Sequence, residues 1–221
     1  MCSVFESIRN TNRGVNEGII AHAKKLSEDL DAFVLVPDLY RGKVGVDKEE
    51  ASHLMGELDF MQAAKEIGEC ASYMKEKMVG AEKKKVGTIG FCMGGALSIL
   101  GGSLAEDVDA IVCFYGIPSG FDVEKNCKKP VLGMFGEKDN LVGFSSKDDA
   151  LQLKEKLKNS EAREDSDVLF FEGVGHAFMN QSPNPYESFE EREKSQGFPA
   201  YDETQASKAW EKTNQFFTKY L

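Results

Sequence analysis

KVGTIGFCMGGALSIL, residues 85–100, carries a strand straight into a helix. KVGTIGF is short, apolar and holds β-branched residues, whereas MGGALSIL keeps small and apolar residues at helical spacing. Between them, Gly90-Phe91-Cys92-Met93-Gly94 has the form G-x-nucleophile-x-G, with cysteine where serine is commoner. A turn that sharp holds its central residue in a strained conformation, and side chains at Gly90 and Gly94 would collide with the neighbouring strand and helix. It also sets the sulfur at a helix N-terminus, where the positive end of the dipole favours thiolate. Read alone, the pattern equally fits a small buried cysteine in a glycine-rich turn.

The alternation of strand and helix extends in both directions. Upstream, residues 15–30 place Ile19, Ile20, Ala23, Leu26 and Leu30 at helical spacing, and FVLVPDLY (33–40) reads as a short buried strand stopped by Pro37. Residues 47–57 and 60–79 are helical, the second with a stripe of Phe60, Ala63, Ala64, Ile67, Ala71 and Met74. Downstream, DAIVCFYG (109–116), PVLGMFG (130–136) and DVLFFEG (167–173) read as strands. KDDALQLKEKLKN (147–159) and SKAWEKTNQFFTKYL (207–221) read as helices. This order predicts an α/β domain, a mostly parallel sheet with helices on both faces. No repeat or Gly/Ser linker divides the 221 residues, so one domain over 1–221 is expected. Residues 179–204 break the rhythm with three prolines, many charges and no sustained period, which predicts a mobile flap or a solvated surface loop.

Lys+Arg number 27 against 37 Asp+Glu, a net charge of −10 that repels phosphate backbones and anionic headgroups. Neither nucleic acid nor a membrane is expected as a partner. No run approaches the ~18 apolar residues that span a bilayer, and MCSVFESIRNTNRG lacks the layout of a signal peptide, so a cytoplasmic location is expected. Five cysteines without paired spacing read as free thiols in a reducing compartment. Cys70, on a helix stripe, and Cys113, inside a strand, read as core residues, and Cys127 as a loop thiol. No metal-ligand spacing and no G-x-G-x-x-G loop occur, so no metal and no cofactor are expected.

An acid and a histidine follow two later strands. Glu137-Lys138-Asp139 comes after VLGMFG, and Gly173-Val174-Gly175-His176 after VLFFEG. Both lie beyond strand C-terminal ends, the edge where open parallel sheets build their sites. The chain order Cys92, Asp139, His176 is that of a nucleophile–acid–histidine triad. His22 and His53 fall inside helical patterns and read as structural or solvent-facing.

On GVNEGIIAHAKKLSEDLDAFVLVPDLYRGKVG, KVGTIGFCMGGALSIL, the GEKD turn and GVGHAFMN, the chain resembles the dienelactone hydrolase family of the α/β-hydrolase fold over most of residues 14–221. The resemblance implies a three-layer α/β-hydrolase domain hydrolysing a small-molecule carboxylic ester or lactone without a cofactor, as a monomer or weak homo-oligomer. Its nucleophile would be Cys92, its acid Asp139 and its general base His176, with the Met93 N–H as one oxyanion donor. Tyr115, Asn180, Tyr186 and Arg192 are candidate substrate contacts. The family's best-known members hold a substrate carboxylate with arginines, whereas the position four beyond His176 is Asn180. The family also has two or three strands before the region that begins here at Gly14, one ending in a glutamate that helps manage the thiol proton. Cys2-Ser3-Val4-Phe5 could supply that strand with Glu6 at its end, so the N-terminal strands are expected to be shortened or missing. A catalytically weak or inactive hydrolase-like binding protein is the second reading, and a thiol redox protein the third, although no resolving cysteine is evident near Cys92.

Overall fold

The computed structural model of the chain describes residues 15, 17–43, 48–77, 85–183 and 186–221. Glu6, Cys2 and the strand expected at 2–5 lie outside the described residues. The elements run α1 (Glu17–Leu30), α2 (Lys48–Gly56), α3 (Phe60–Lys77), β1 (Gly87–Phe91), α4 (Met93–Leu104), β2 (Ala110–Phe114), α5 (Val123–Asn126), β3 (Val131–Gly136), α6 (Lys147–Asn159), β4 (Asp167–Phe171), α7 (Phe189–Gln196) and α8 (Glu203–Tyr220).

Four strands pair in parallel in the order β1-β2-β3-β4, with Gly90 opposite Cys113 and Cys113 opposite Gly133. Alternation along the strands sorts the side chains onto two faces. Cβ atoms added at Gly95 and Gly102 of α4 would meet Cys113 and Ile111, and Gly133 faces Leu153 of α6, so α4 and α6 cover one face. On the other, Gly87 lies against Phe217 of α8, and Phe91 and Phe114 pack on Trp210. His22 of α1 stacks on Phe91, ring centroids 4.8 Å apart. This is the three-layer α/β-hydrolase arrangement, helices on both sides of a parallel sheet. Every residue of β1, β2 and β3 is buried, which is why those segments carry continuous apolar runs.

Helix boundaries follow local chemistry. α6 opens on a capping box between Ser146 and Asp149, α8 on Asp202 and α7 on Ser188, while Gly197 ends α7 in the left-handed conformation. In α3 the buried stripe is Ala63, Ala64, Ile67, Ala71 and Met74, and Phe60 turns outward.

Two expectations need correction. Residues 33–40 do not form a continuous strand: Leu35 alone makes a bridge, and Phe33 is 77% exposed. Residues 179–204 are not an unstructured flap, because α7 forms there and Met179, Arg192, Phe198 and Ala200 are buried. Cys127 follows the last residue of α5 as its C-cap, a loop position as expected, and is buried there. Among the described residues, no helix is long and apolar enough to cross a membrane.

Candidate active site

Cys92 sits between the last residue of β1 and the first of α4, with φ 57° and ψ −117°. Such a conformation costs a non-glycine residue of order 1–3 kcal/mol and persists only where its surroundings fix it. Here the Cys92 N–H donates to Phe114 O at 2.9 Å, and Cys92 O accepts from Ala96 N at 3.1 Å. Two glycines make room. A Cβ at Gly95 would lie 2.4 Å from Phe114 O, and one at Gly116 would lie 1.9 Å from Cys92 O. These add to Gly90 and Gly94, the positions that the sequence singles out.

Asp139 and His176 arrive on two loops that the end of the sheet ties together. Glu137 N donates to Phe171 O and Lys138 N to Val174 O. The loops can approach because Gly136 has no side chain: a Cβ there would stand 2.5 Å from Val174 O and from Gly175 O. Asp139 is then fixed through its Oδ1, which accepts from Leu141 N at 3.1 Å.

The three side chains meet. His176 Nε2 lies 3.0 Å from Cys92 Sγ, and His176 Nδ1 lies 2.8 Å from Asp139 Oδ2. Cys92 and His176 are fully buried and Asp139 is 5% exposed, so all three interact in a medium far less polarisable than water. Ser145, also fully buried, places its Oγ 3.0 Å from the same Nδ1. The rings of Tyr115, Phe144 and Phe198 pack around the imidazole at centroid distances of 5.0, 6.1 and 6.0 Å. Burial pushes the Tyr115 phenol well above its usual range and the Cys113 thiol up to about 12, so neither ionises near neutrality.

The remaining candidates separate. Met93, first residue of α4 and buried, has its N–H in the first turn, where intrahelical acceptors are lacking. Tyr115 lies against His176. Asn180 is half-buried, and its Nδ2 has no hydrogen-bond partner among the described residues. Tyr186 instead accepts from Ser195 at 3.3 Å. Arg192 is fully buried and is not placed to hold a substrate. Its guanidinium donates to the carbonyls of Ala177, Asn180 and Ser182 and to Gln196 Oε1. It braces the segment that follows His176, where Ala177 takes a φ of 58°. Ser145, Gly116 and the bracing role of Arg192 carry no signal in the sequence, because each depends on which loops the fold brings together.

Comparison with known proteins agrees with the fold and places the chain in a family. The model of the dienelactone hydrolase family matches residues 12–221. A protein of Aquifex aeolicus named "Putative carboxymethylenebutenolidase" is 30% identical over 212 residues, covering 93% of this chain and 84% of that one. "Protein usf" of Aquifex pyrophilus is 31% identical over 196 residues, covering 86% and 77%. Among solved structures, a dienelactone hydrolase-like promiscuous phosphotriesterase from metagenomic libraries superposes with a TM-score of 0.75 at 22% identity, over 99% of this chain and 85% of that one. The chain belongs to the dienelactone hydrolase family of α/β-hydrolase-fold enzymes.

Proposed function

We propose that the chain hydrolyses small carboxylic esters or lactones through a Cys92–His176–Asp139 triad and a thioester acyl-enzyme. The observation that carries this reading is the hydrogen-bonded chain from Sγ to Nε2 and from Nδ1 to Oδ2, at 3.0 and 2.8 Å. His176 takes the thiol proton at Nε2 while Asp139 holds Nδ1–H and faces the imidazolium. The sulfur attacks the carbonyl carbon, and the oxyanion is held by the Met93 N–H at the start of α4. Collapse breaks the ester C–O bond and His176 returns its proton to the leaving oxygen. Water, deprotonated by His176, then attacks the thioester and releases the carboxylic acid and the thiol.

A sulfur nucleophile restricts the substrate. From the tetrahedral intermediate, a thiolate of conjugate pKa about 8.5 is expelled more readily than an alkoxide, but competes evenly with an enolate or phenolate of pKa about 10. Enol lactones and aryl esters therefore suit this site, whereas simple alkyl esters do not. The Nδ2 of Asn180, without a hydrogen-bond partner among the described residues, supports a polar substrate group near it. Cys2 and Glu6 lie outside the described residues, and a proton-managing role for Glu6 remains a proposal. The net charge of −10 and the cysteine usage support a cytoplasmic protein that acts on a small molecule as a monomer or weak homo-oligomer.

Turnover of an aryl acetate and of an enol lactone by the parent chain and by Cys92→Ala tests the reading. Hydrolysis that vanishes in Cys92→Ala supports it. Binding of the lactone without turnover by the parent chain would favour the inactive binding protein instead.

A further inference from the structure

We infer that Ser145 is a positioning residue for His176, a second acceptor that holds the imidazole in its Nδ1–H tautomer alongside Asp139. This rests on the triad reading above and extends it. His176 Nδ1 has two oxygen neighbours, Asp139 Oδ2 at 2.8 Å and Ser145 Oγ at 3.0 Å, and Ser145 is fully buried. A buried serine near a single ring nitrogen is not filling space alone, since an unbonded hydroxyl there would cost free energy that alanine would not.

One turn sets both oxygens. Asp139 Oδ1 accepts from Leu141 N, and Leu141 O accepts in turn from the amides of Phe144, Ser145 and Ser146. Gly143 N donates to Asp149 Oδ2, which also accepts from Ser146 N, so the turn is locked to the first turn of α6. Phe144 O accepts from Ile117 N, which ties the same turn to the end of β2 beside Tyr115. Residues 139–146 thereby deliver a carboxylate and a hydroxyl to one nitrogen from a fixed frame.

Chemistry decides what the hydroxyl does there. Nδ1 carries at most one proton. When it does, the carboxylate takes that proton along the shorter, charge-assisted line, and Ser145 Oγ accepts a bifurcated share while keeping its own O–H. The Nδ1–H tautomer is the one that leaves Nε2 free to accept from Cys92. Asp139 alone would leave the ring a single tether; with Ser145 it has two, at an angle to each other. Among the described residues, the ionisable groups facing the ring are Cys92, Asp139 and Tyr115, with Arg192 held one residue further on at Ala177 O.

The test compares Ser145→Ala, Ser145→Thr, Asp139→Ala and the double variant Asp139→Ala/Ser145→Ala in the full chain, with an aryl ester as substrate and thermal melts as folding controls. Ser145→Ala is expected to lower kcat about three- to tenfold with little change in KM, the loss of one hydrogen bond read as a rate. Ser145→Thr, which keeps the hydroxyl, should stay within about twofold. The double variant should lose roughly tenfold more than the product of the two single losses, because each oxygen partly covers for the other. The acid limb of kcat/KM, which reports protonation of the free ring, should move to lower pH in Ser145→Ala. The chain has three histidines, so the ring ¹⁵N shifts of His176 can be followed without turnover, and Ser145→Ala should raise its Nε2–H tautomer. Losses that multiply within about twofold, with acid limb and tautomer unchanged, would overturn the proposal even if the melting temperature fell. Cys92→Ala separates the two levels: turnover that survives it removes the triad and Ser145 together, whereas turnover lost in it with independent Ser145 losses removes Ser145 alone.

Discussion

Gly116 lies directly against the carbonyl of Cys92, so close that a Cβ on it would stand 1.9 Å from that oxygen and 2.9 Å from Ala96 N. The glycine after β2 thus determines whether the turn at Cys92 can close, although the two lie 24 positions apart in sequence. The obstructing atoms are backbone, which cannot rotate away. Gly116→Ala should lower the melting temperature by several degrees or more and reduce ester turnover at least about tenfold. Gly56→Ala is the control, since a Cβ at Gly56 meets nothing within 4 Å; it should leave both unchanged or gain slightly.

The shared ring makes the losses at the triad dependent on one another. His176→Ala should cost about as much turnover as Cys92→Ala, and combining them should cost little more. Asp139→Asn should retain measurable activity, because Asp139 orients the ring and does not touch the scissile carbonyl. Steady-state kinetics of the single and double variants check this; turnover within a few-fold of the parent in His176→Ala, roughly 1 kcal/mol, would exclude the triad.

Arg192 braces the loop after His176 through three carbonyls, so its removal should act on the fold and on kcat, with KM little changed. Arg192→Met keeps the side-chain bulk but leaves buried acceptors unpaired, each worth about 1–3 kcal/mol. Denaturant melts should show a loss of roughly 3 kcal/mol or more. A stable variant with only a raised KM would instead mean that the guanidinium binds substrate.

His22 makes stability fall as the solution is acidified. Burial lowers its imidazolium from 6.5 to about 4, where it stacks on Phe91 and tilts against Trp210. Above pH 6.5 the ring is neutral in folded and unfolded chains alike. Between 6.5 and 4 the unfolded chain alone takes up the proton, so stability is lost as pH falls through that window, by up to about 3 kcal/mol. His22→Phe should flatten the dependence of the unfolding free energy on pH between those limits, measured by urea melts.

Much of this is legible in the amino-acid sequence. Residues 85–100 already state strand, turn and helix, because burial of β1 on both faces demands an apolar run and the turn demands small residues. Asp139 and His176 could be placed because each follows an apolar strand directly. FVLVPDLY misled for the converse reason: its apolar run looks like a buried strand, but an apolar run does not by itself make a ladder, and within 33–40 Leu35 alone makes a bridge. Residues 179–204 misled because α7 is polar nearly all round, so periodicity could not reveal that Arg192 inside it is buried by hydrogen bonds to backbone. His22 read as structural or solvent-facing, and its ring packs on the aromatic cluster beside the elbow. Ser145 stayed invisible because a Ser-Ser pair before a helix reports an N-cap, which Ser146 is, and says nothing of a ring nitrogen supplied by another loop.

The central claim is that Cys92 Sγ becomes acylated during turnover. The parent chain should be mixed with excess aryl ester, quenched in acid within the first turnovers, and measured by intact and peptide mass. We expect a mass gain of one acyl group on the peptide containing Cys92, cleaved by hydroxylamine, persisting longer in His176→Ala if it forms there at all, and absent from Cys92→Ala. Acylation of a different residue, or full turnover by Cys92→Ala with no adduct on the parent chain, would contradict it.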